Sequence, residues 1–190
     1  MDEFLRVSYL ISPLLLGLIF HGLCIKFHWL RSLALPIDNH LAFRGKRLLG
    51  DNKTYRGIVA VAIGTAVGFG VQALLHRTLA FRKVELFDYG NRAILLVGLA
   101  VGMAAMLSEL PNSFIKRQLD IAPGASIKGL VGLLFYFLDQ VDMLVGVWLV
   151  LGFMVTVTVE RILWSIVFLF VAHQVITISG YGLGMRATAR

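Results

Sequence analysis

Gly57-Ile-Val-Ala-Val-Ala-Ile-Gly-Thr-Ala-Val-Gly-Phe-Gly-Val-Gln-Ala-Leu-Leu75 runs for 19 residues without a charge. A helix rises about 1.5 Å per residue and a hydrocarbon layer is roughly 30 Å thick, so this stretch is long enough to cross one. Comparable apolar blocks lie at residues 8–26, 93–110, 143–159 and 162–178. The hydrophobic fraction is 58% and the mean hydropathy +0.80, above the roughly 45–50% usual in a soluble domain, and the excess falls in these blocks. The expected fold is an all-α integral membrane domain with about five transmembrane helices in a single unit over residues 1–190. Asp2 and Glu3 stand where a cleavable signal would be basic, so the first block is expected to remain as a helix. Cys24 is the one cysteine, which excludes an intramolecular disulfide.

The net charge of +7 reads first as topology rather than nucleic-acid binding. With five spans, eleven Lys and Arg fall on one side: Arg31, Arg44, Lys46, Arg47, Lys53, Arg56, Lys116, Arg117, Lys128, Arg186 and Arg190. Six fall on the other: Arg6, Arg77, Arg82, Lys83, Arg92 and Arg161. The bias places the N-terminus outside and the loops at residues 31–56 and 111–128 in the cytoplasm. Near residues 127–142 the apolar run is interrupted by Asp139 and Asp142, which leaves a re-entrant segment or a helix broken at the acids. Gly64 with Gly68, and Gly98 with Gly102, have the four-residue spacing that permits close helix contact.

The loop at residues 31–56 interleaves Arg44, Lys46, Arg47, Lys53 and Arg56 with glycines, and Thr54 adds a hydroxyl. Such a loop can clamp a polyphosphate, or it can simply lie on anionic headgroups. Glu109 ends the third block, Pro111 should break or restart the helix, and Ser113, Lys116 and Arg117 follow within two turns. Asp139 and Asp142, three residues apart, share a helix face, and carboxylates within an apolar stretch are functional candidates. Glu109, Asp139 and Asp142 could ligate a hard cation such as Mg2+, or each could pair with a nearby cation. Phosphate-binding cations and metal-binding acids on one side of a membrane suggest phosphoryl or nucleotidyl transfer. His40 is near enough to touch phosphate; His21, His28 and His76 read as interfacial, and His173, Gln174 and Thr177 as interhelical hydrogen-bond partners.

These residues resemble the CDP-archaeol synthase family, relatives of the CDP-diacylglycerol synthases that also occur in bacteria. The likeness rests on Asp38, on the run from Phe43 through Arg-Gly-Lys-Arg and Gly-Asp-Asn-Lys-Thr to Gly57, on Ser113-Phe-Ile-Lys-Arg117, Pro123-Gly124 and Leu138-Asp-Gln-Val-Asp142. It implies a CTP:lipid phosphate cytidylyltransferase making a CDP-lipid and pyrophosphate in phospholipid biosynthesis. The lipid would be phosphatidic acid-like or an ether-lipid glycerol phosphate. Asp139 and Asp142 would hold Mg2+ with Glu109 beside them. Ser113, Lys116 and Arg117 would contact phosphate, and Asp38, Arg44, Lys46, Arg47, Asp51, Asn52, Lys53, Thr54 and Arg56 would cover the nucleotide. The implied partners are CTP, a lipid phosphate and membrane lipids, with no nucleic acid; a homodimer is compatible. The chain departs from the family pattern at Ser108-Glu109, Gln118, Asp120 and Ala122, which thins the positive charge of that loop. A different CTP- or polyprenyl-lipid-dependent transferase, or a non-catalytic membrane protein binding anionic lipid, could occupy the same scaffold.

Overall fold

The computed structural model describes residues 2–76, 83–89, 93–123, 125 and 129–182, the last seven by backbone alone. Arg77, Arg82, Arg92, Gly124, Lys128, Arg186 and Arg190 lie outside the described residues, as does the side chain of Thr177. The elements are α1 (Asp2–Lys26), β1 (Ala42–Phe43), β2 (Lys46–Arg47), α2 (Tyr55–Leu75), α3 (Ile94–Ser108), α4 (Leu110–Gln118), α5 (Gly129–Leu151) and α6 (Val159–Gly182). Among the described residues four stretches are long and apolar enough to cross a membrane: α1, α2, α3 together with α4, and α5. α6 adds a further long helix, packed on α1 and α5.

The helices pack through small residues rather than through large interlocking ones. A Cβ on Gly64 would come within 2.7 Å of the Gly17 Cα in α1, and one on Gly68 within 2.7 Å of the Pro13 Cα. On the next pair, a Cβ on Gly98 would approach Ala66 to 2.5 Å and one on Gly102 would approach Ala62 to 2.6 Å. The four-residue glycine spacings therefore place α2 against α1 and α3 against α2, backbone to backbone. Leu10, Leu14, Val61, Phe69, Val101, Val147 and Leu151 fill the interior. Leu96 and Leu149 stay about two-thirds exposed, at 66% and 64%, as a lipid-facing surface requires.

Two boundaries differ from the reading of the sequence. α1 begins at Asp2 rather than near residue 8, because Val7 and Leu10 are already buried in the core. α5 is one unbroken helix from Gly129 to Leu151, where residues 143–159 were expected to form the span after a re-entrant or broken segment. The acids cost no break because they do not face lipid: both meet Asn112, and Asp139 also meets Lys116. At the join of α3 and α4 the helix pauses at Glu109 and resumes with Pro111 in its first turn, where proline removes no needed hydrogen bond.

Loops alternate between the two ends of the bundle. Residues 27–54 and the end of α4 share one end, tied by Lys46 to the Gln118 carbonyl at 2.7 Å. At the other end Arg161, in the first turn of α6, donates to Glu3 in α1 at 2.5 Å.

Candidate active site

The polar end is organised by one buried carboxylate. Asp38 Oδ1 accepts from Arg47 Nη2 at 2.8 Å and Oδ2 accepts from Arg47 Nε at 3.2 Å, a two-pronged pair. Asp38 Oδ2 also accepts from the Leu49 and Gly50 amides at 3.0 and 3.1 Å, and Oδ1 accepts from the His40 amide at 3.2 Å. Burial by itself would push this carboxyl up, but the Arg47 and backbone donors together hold it well below the usual carboxylate range. Arg44 and Gly45, both at positive φ, form the two-residue turn that joins β1 to β2. Pro36 bridges Thr54, and Ile37 donates to the Lys53 carbonyl at 2.9 Å, so the two ends of the loop are stitched together. Thr54 then caps α2, its hydroxyl accepting from the Gly57 amide at 3.3 Å.

Between this loop, α4 and α5 lies a cleft of about 560 Å³. Its charged lining consists of Lys53, Lys116 and Arg117 against Glu109, Asp139 and Asp142, with Asn52 and Ser113 beside them. Lys53 forms an ion pair with Glu109. Lys116 Nζ grips both oxygens of Asp139, Oδ2 at 2.5 Å, and stands 5.4 Å from the centre of the Phe135 ring. Arg117 Nε donates to the Leu49 carbonyl at 3.1 Å and its Nη1 donates to the Ile121 carbonyl, so one guanidinium pins both rims of the cleft. Among the described residues the lining balances three cations against three carboxylates.

The structure thus brings together Asn52, Lys53, Glu109, Ser113, Lys116, Arg117, Asp139 and Asp142. The remaining candidates do not line the cleft, and several shape the loop around it. Asp38 and Arg47 hold the loop from inside, with Asp51 accepting from Arg47 Nη1 at 3.0 Å. Lys46 is taken up by the Gln118 carbonyl and by Asp120 at 2.6 Å, so the Asp120 departure from the family pattern neutralises a loop lysine. Arg44 lies over the Phe43 ring at 5.2 Å, Thr54 is a helix cap and Arg56 sits in the first turn of α2. His40 approaches Asp51 at 3.8 Å, outside the cleft.

Four polar residues of the site were not singled out as site residues from the sequence. Asn112 contacts both aspartates, and Gln140, Tyr136 and His173 line the far wall. Gln140 meets His173 Nδ1 at 3.5 Å, the interhelical contact expected of that histidine. Asn112 lies one residue before Ser113 in the motif, and that adjacency was the one signal available in the sequence.

Asp139 Oδ1 and Asp142 Oδ2 lie 2.7 and 2.9 Å from the same atom, Asn112 Nδ2, so two carboxylate oxygens converge on one point. That pair fits a hard divalent cation, which commonly takes one or two carboxylates and completes its shell with phosphate and water. The expected triad is not assembled: among the described residues no three acidic, His or Cys groups stand close enough to hold a metal together, and Glu109 is occupied by Lys53.

The same fold is found in a solved structure of an intramembrane enzyme for archaeal membrane lipids biosynthesis, with a TM-score of 0.64 over 90% of this chain and 91% of that one, at 22% identity. The molecule is a multi-pass membrane protein with its charged cleft at one end of the bundle. The family model described as CarS-like, CDP-archaeol synthase, matches residues 26–189. The CDP-archaeol synthases of Pyrobaculum arsenaticum and Sulfurisphaera tokodaii are 33% and 32% identical, covering 80% of this chain and 79% and 80% of theirs. That of Methanosarcina mazei is 29% identical over 80% of this chain and 87% of its own. The chain belongs to the CDP-archaeol synthase family and is a nucleotidyltransferase, a CTP-dependent cytidylyltransferase of membrane lipid biosynthesis.

Proposed function

We propose that this protein transfers CMP from CTP to the terminal phosphate of a glycerol-based lipid phosphate, in a cytoplasmic membrane with the cleft toward the cytoplasm. A phosphate oxygen of the lipid attacks the α-phosphorus of CTP, the bond between the α-phosphorus and its bridging oxygen breaks, and pyrophosphate leaves with that oxygen. The observation that carries the reading is the convergence of Lys53, Lys116 and the Asp139/Asp142 pair in one cleft beside apolar helices. The orientation rests on the excess of Lys and Arg on the loops at the cleft end.

Among the described residues the three cations of the cleft face three carboxylates, so two polyanionic reactants meet little uncompensated positive charge there. Mg2+ held by Asp139 and Asp142 would supply the missing positive charge and stabilise the departing pyrophosphate. Lys53 and Lys116 are already desolvated and held by carboxylates; each can exchange that partner for a phosphate oxygen without losing a counter-charge. Arg117, fixed by the Leu49 and Ile121 carbonyls, positions the walls rather than the phosphates. In-line alignment of lipid and nucleotide phosphates then does most of the work.

The test is pyrophosphate release from CTP by the purified protein in lipid vesicles, with Mg2+ and a panel of ester- and ether-linked lipid phosphates. Release requiring lipid, divalent cation and Asp139 supports the reading and names the lipid. Folded protein that releases none with any lipid overturns it in favour of a scaffold that binds anionic lipid.

A further inference from the structure

Among the described residues, one side chain donates to both candidate metal-binding aspartates. Asn112 sits in the first turn of α4, and its Nδ2 donates to Asp139 Oδ1 at 2.7 Å and to Asp142 Oδ2 at 2.9 Å. An amide nitrogen carries two protons, and here each is given to a different carboxylate. The orientation is dictated by charge, because turning the amide over would face its oxygen to two anionic oxygens. The other end of the same amide is anomalous: Asn112 Oδ1 is buried from solvent and accepts no hydrogen bond. A buried amide oxygen without a donor is uncommon and costs about 1–3 kcal/mol.

We propose that Asn112 is a metal-site residue specific to this arrangement: its NH2 group holds Asp139 and Asp142 together while no cation is bound, and its carbonyl oxygen becomes a neutral ligand when a divalent cation binds against the two carboxylates. The inference rests on reading Asp139 and Asp142 as the cation-binding pair. A half-turn of the terminal amide exchanges Nδ2 for Oδ1 at nearly the same position. The cation's arrival therefore removes the two hydrogen bonds and replaces them with three oxygens around one charge. The amide oxygen that is orphaned without metal gains a partner, and the carboxylates share first a hydrogen-bond donor and then a cation. A neutral third oxygen also suits a cleft in which Glu109 is bound to Lys53.

Mn2+ binding to the purified protein in detergent, followed by electron paramagnetic resonance without nucleotide or lipid, gives a readout independent of turnover. Thermal unfolding in chelator reports the metal-free state. Relative to wild type, Asn112→Ala is expected to weaken Mn2+ binding about 10- to 100-fold, the usual consequence of losing a metal-orienting group. Asn112→Asp keeps an oxygen but loses the NH2 clamp. It is expected to bind Mn2+ at least as tightly as wild type and to melt lower in chelator, with the loss recovered on adding Mn2+. Equal or tighter binding by Asn112→Ala, in protein that elutes as a folded species, overturns the proposal: Asn112 would then be only a structural tie or a competitor of the cation. If Asn112→Ala does not fold, weaker binding by Asn112→Asp than by wild type overturns it equally. Wild type that binds no Mn2+, with Asp139→Asn behaving identically, instead removes the metal pair on which the inference stands.

Discussion

The two halves of the bundle are held by opposite means. α1, α2 and α3 meet through Gly17, Gly64, Gly68, Gly98 and Gly102 with their backbones nearly touching, and no charged group enters that contact. The N-terminal part of α5 is open, with Leu130 82% exposed; it meets α6 through Tyr136 and Phe137 on Phe170, and just beyond them Lys116 and Asn112 tie its aspartates to α4. Close packing leaves no room for a ligand; an open wall of charges has room and little packing to lose. A protein that must admit both a water-borne nucleotide and a lipid therefore puts its rigidity in one half and its chemistry in the other.

That contrast makes the two halves separable by mutation. The largest effect is expected for Asp139→Ala, with pyrophosphate release falling about 10³-fold or more from protein that still elutes as a folded species. Lys116→Ala should follow at about 10²- to 10³-fold, the scale for removing one group that stabilises transition-state charge. Gly102→Leu in the tight half should do the reverse: its side chain meets the Ala62 backbone, and a loss of about 3 kcal/mol or more should appear as a lower melting temperature and poor recovery from detergent. A Gly102→Leu protein as stable as wild type would break the contrast.

Asp38 tests the region where the halves join. Its pKa is lower folded than unfolded, so its contribution is fully present above about pH 4, the unfolded value, and is lost as pH falls from there through the folded value. Amide exchange of Leu49 and Gly50 should remain slow at neutral pH and accelerate only in strong acid. Asp38→Asn should remove that acid transition and cost about 2 kcal/mol at neutral pH. The smallest effect belongs to Thr54→Ala, about 1 kcal/mol from the lost cap of α2, read as a small drop in melting temperature.

The tight half was the more legible in sequence. Apolar length marked the helices, and the glycine spacings marked the faces that now touch. α5 was misjudged because Asp139 and Asp142 interrupt its hydropathy. Sequence shows what a residue costs in lipid, whereas the fold shows that these two never meet lipid. The loop basics were read as one group, a phosphate clamp or a surface for anionic headgroups, yet they divide. Lys53 faces the cleft, Arg47 is committed to Asp38 and Lys46 to Asp120, a division set by partners far away in the chain. Asn112 was passed over because an asparagine in a helical first turn has no chemistry until its two partners are brought to it.

The hairpin turn at Arg44 and Gly45 leaves open space where a side chain on Gly45 would stand, and the loop behind it is closed by the Pro36–Thr54 bridge. For an experimenter this is a labelling address. A short epitope placed at that tip would sit outside the cleft, its strain stopped by the stitched strands below. An impermeant antibody could then ask, in intact cells and in inverted vesicles, on which side of the membrane the polar end lies.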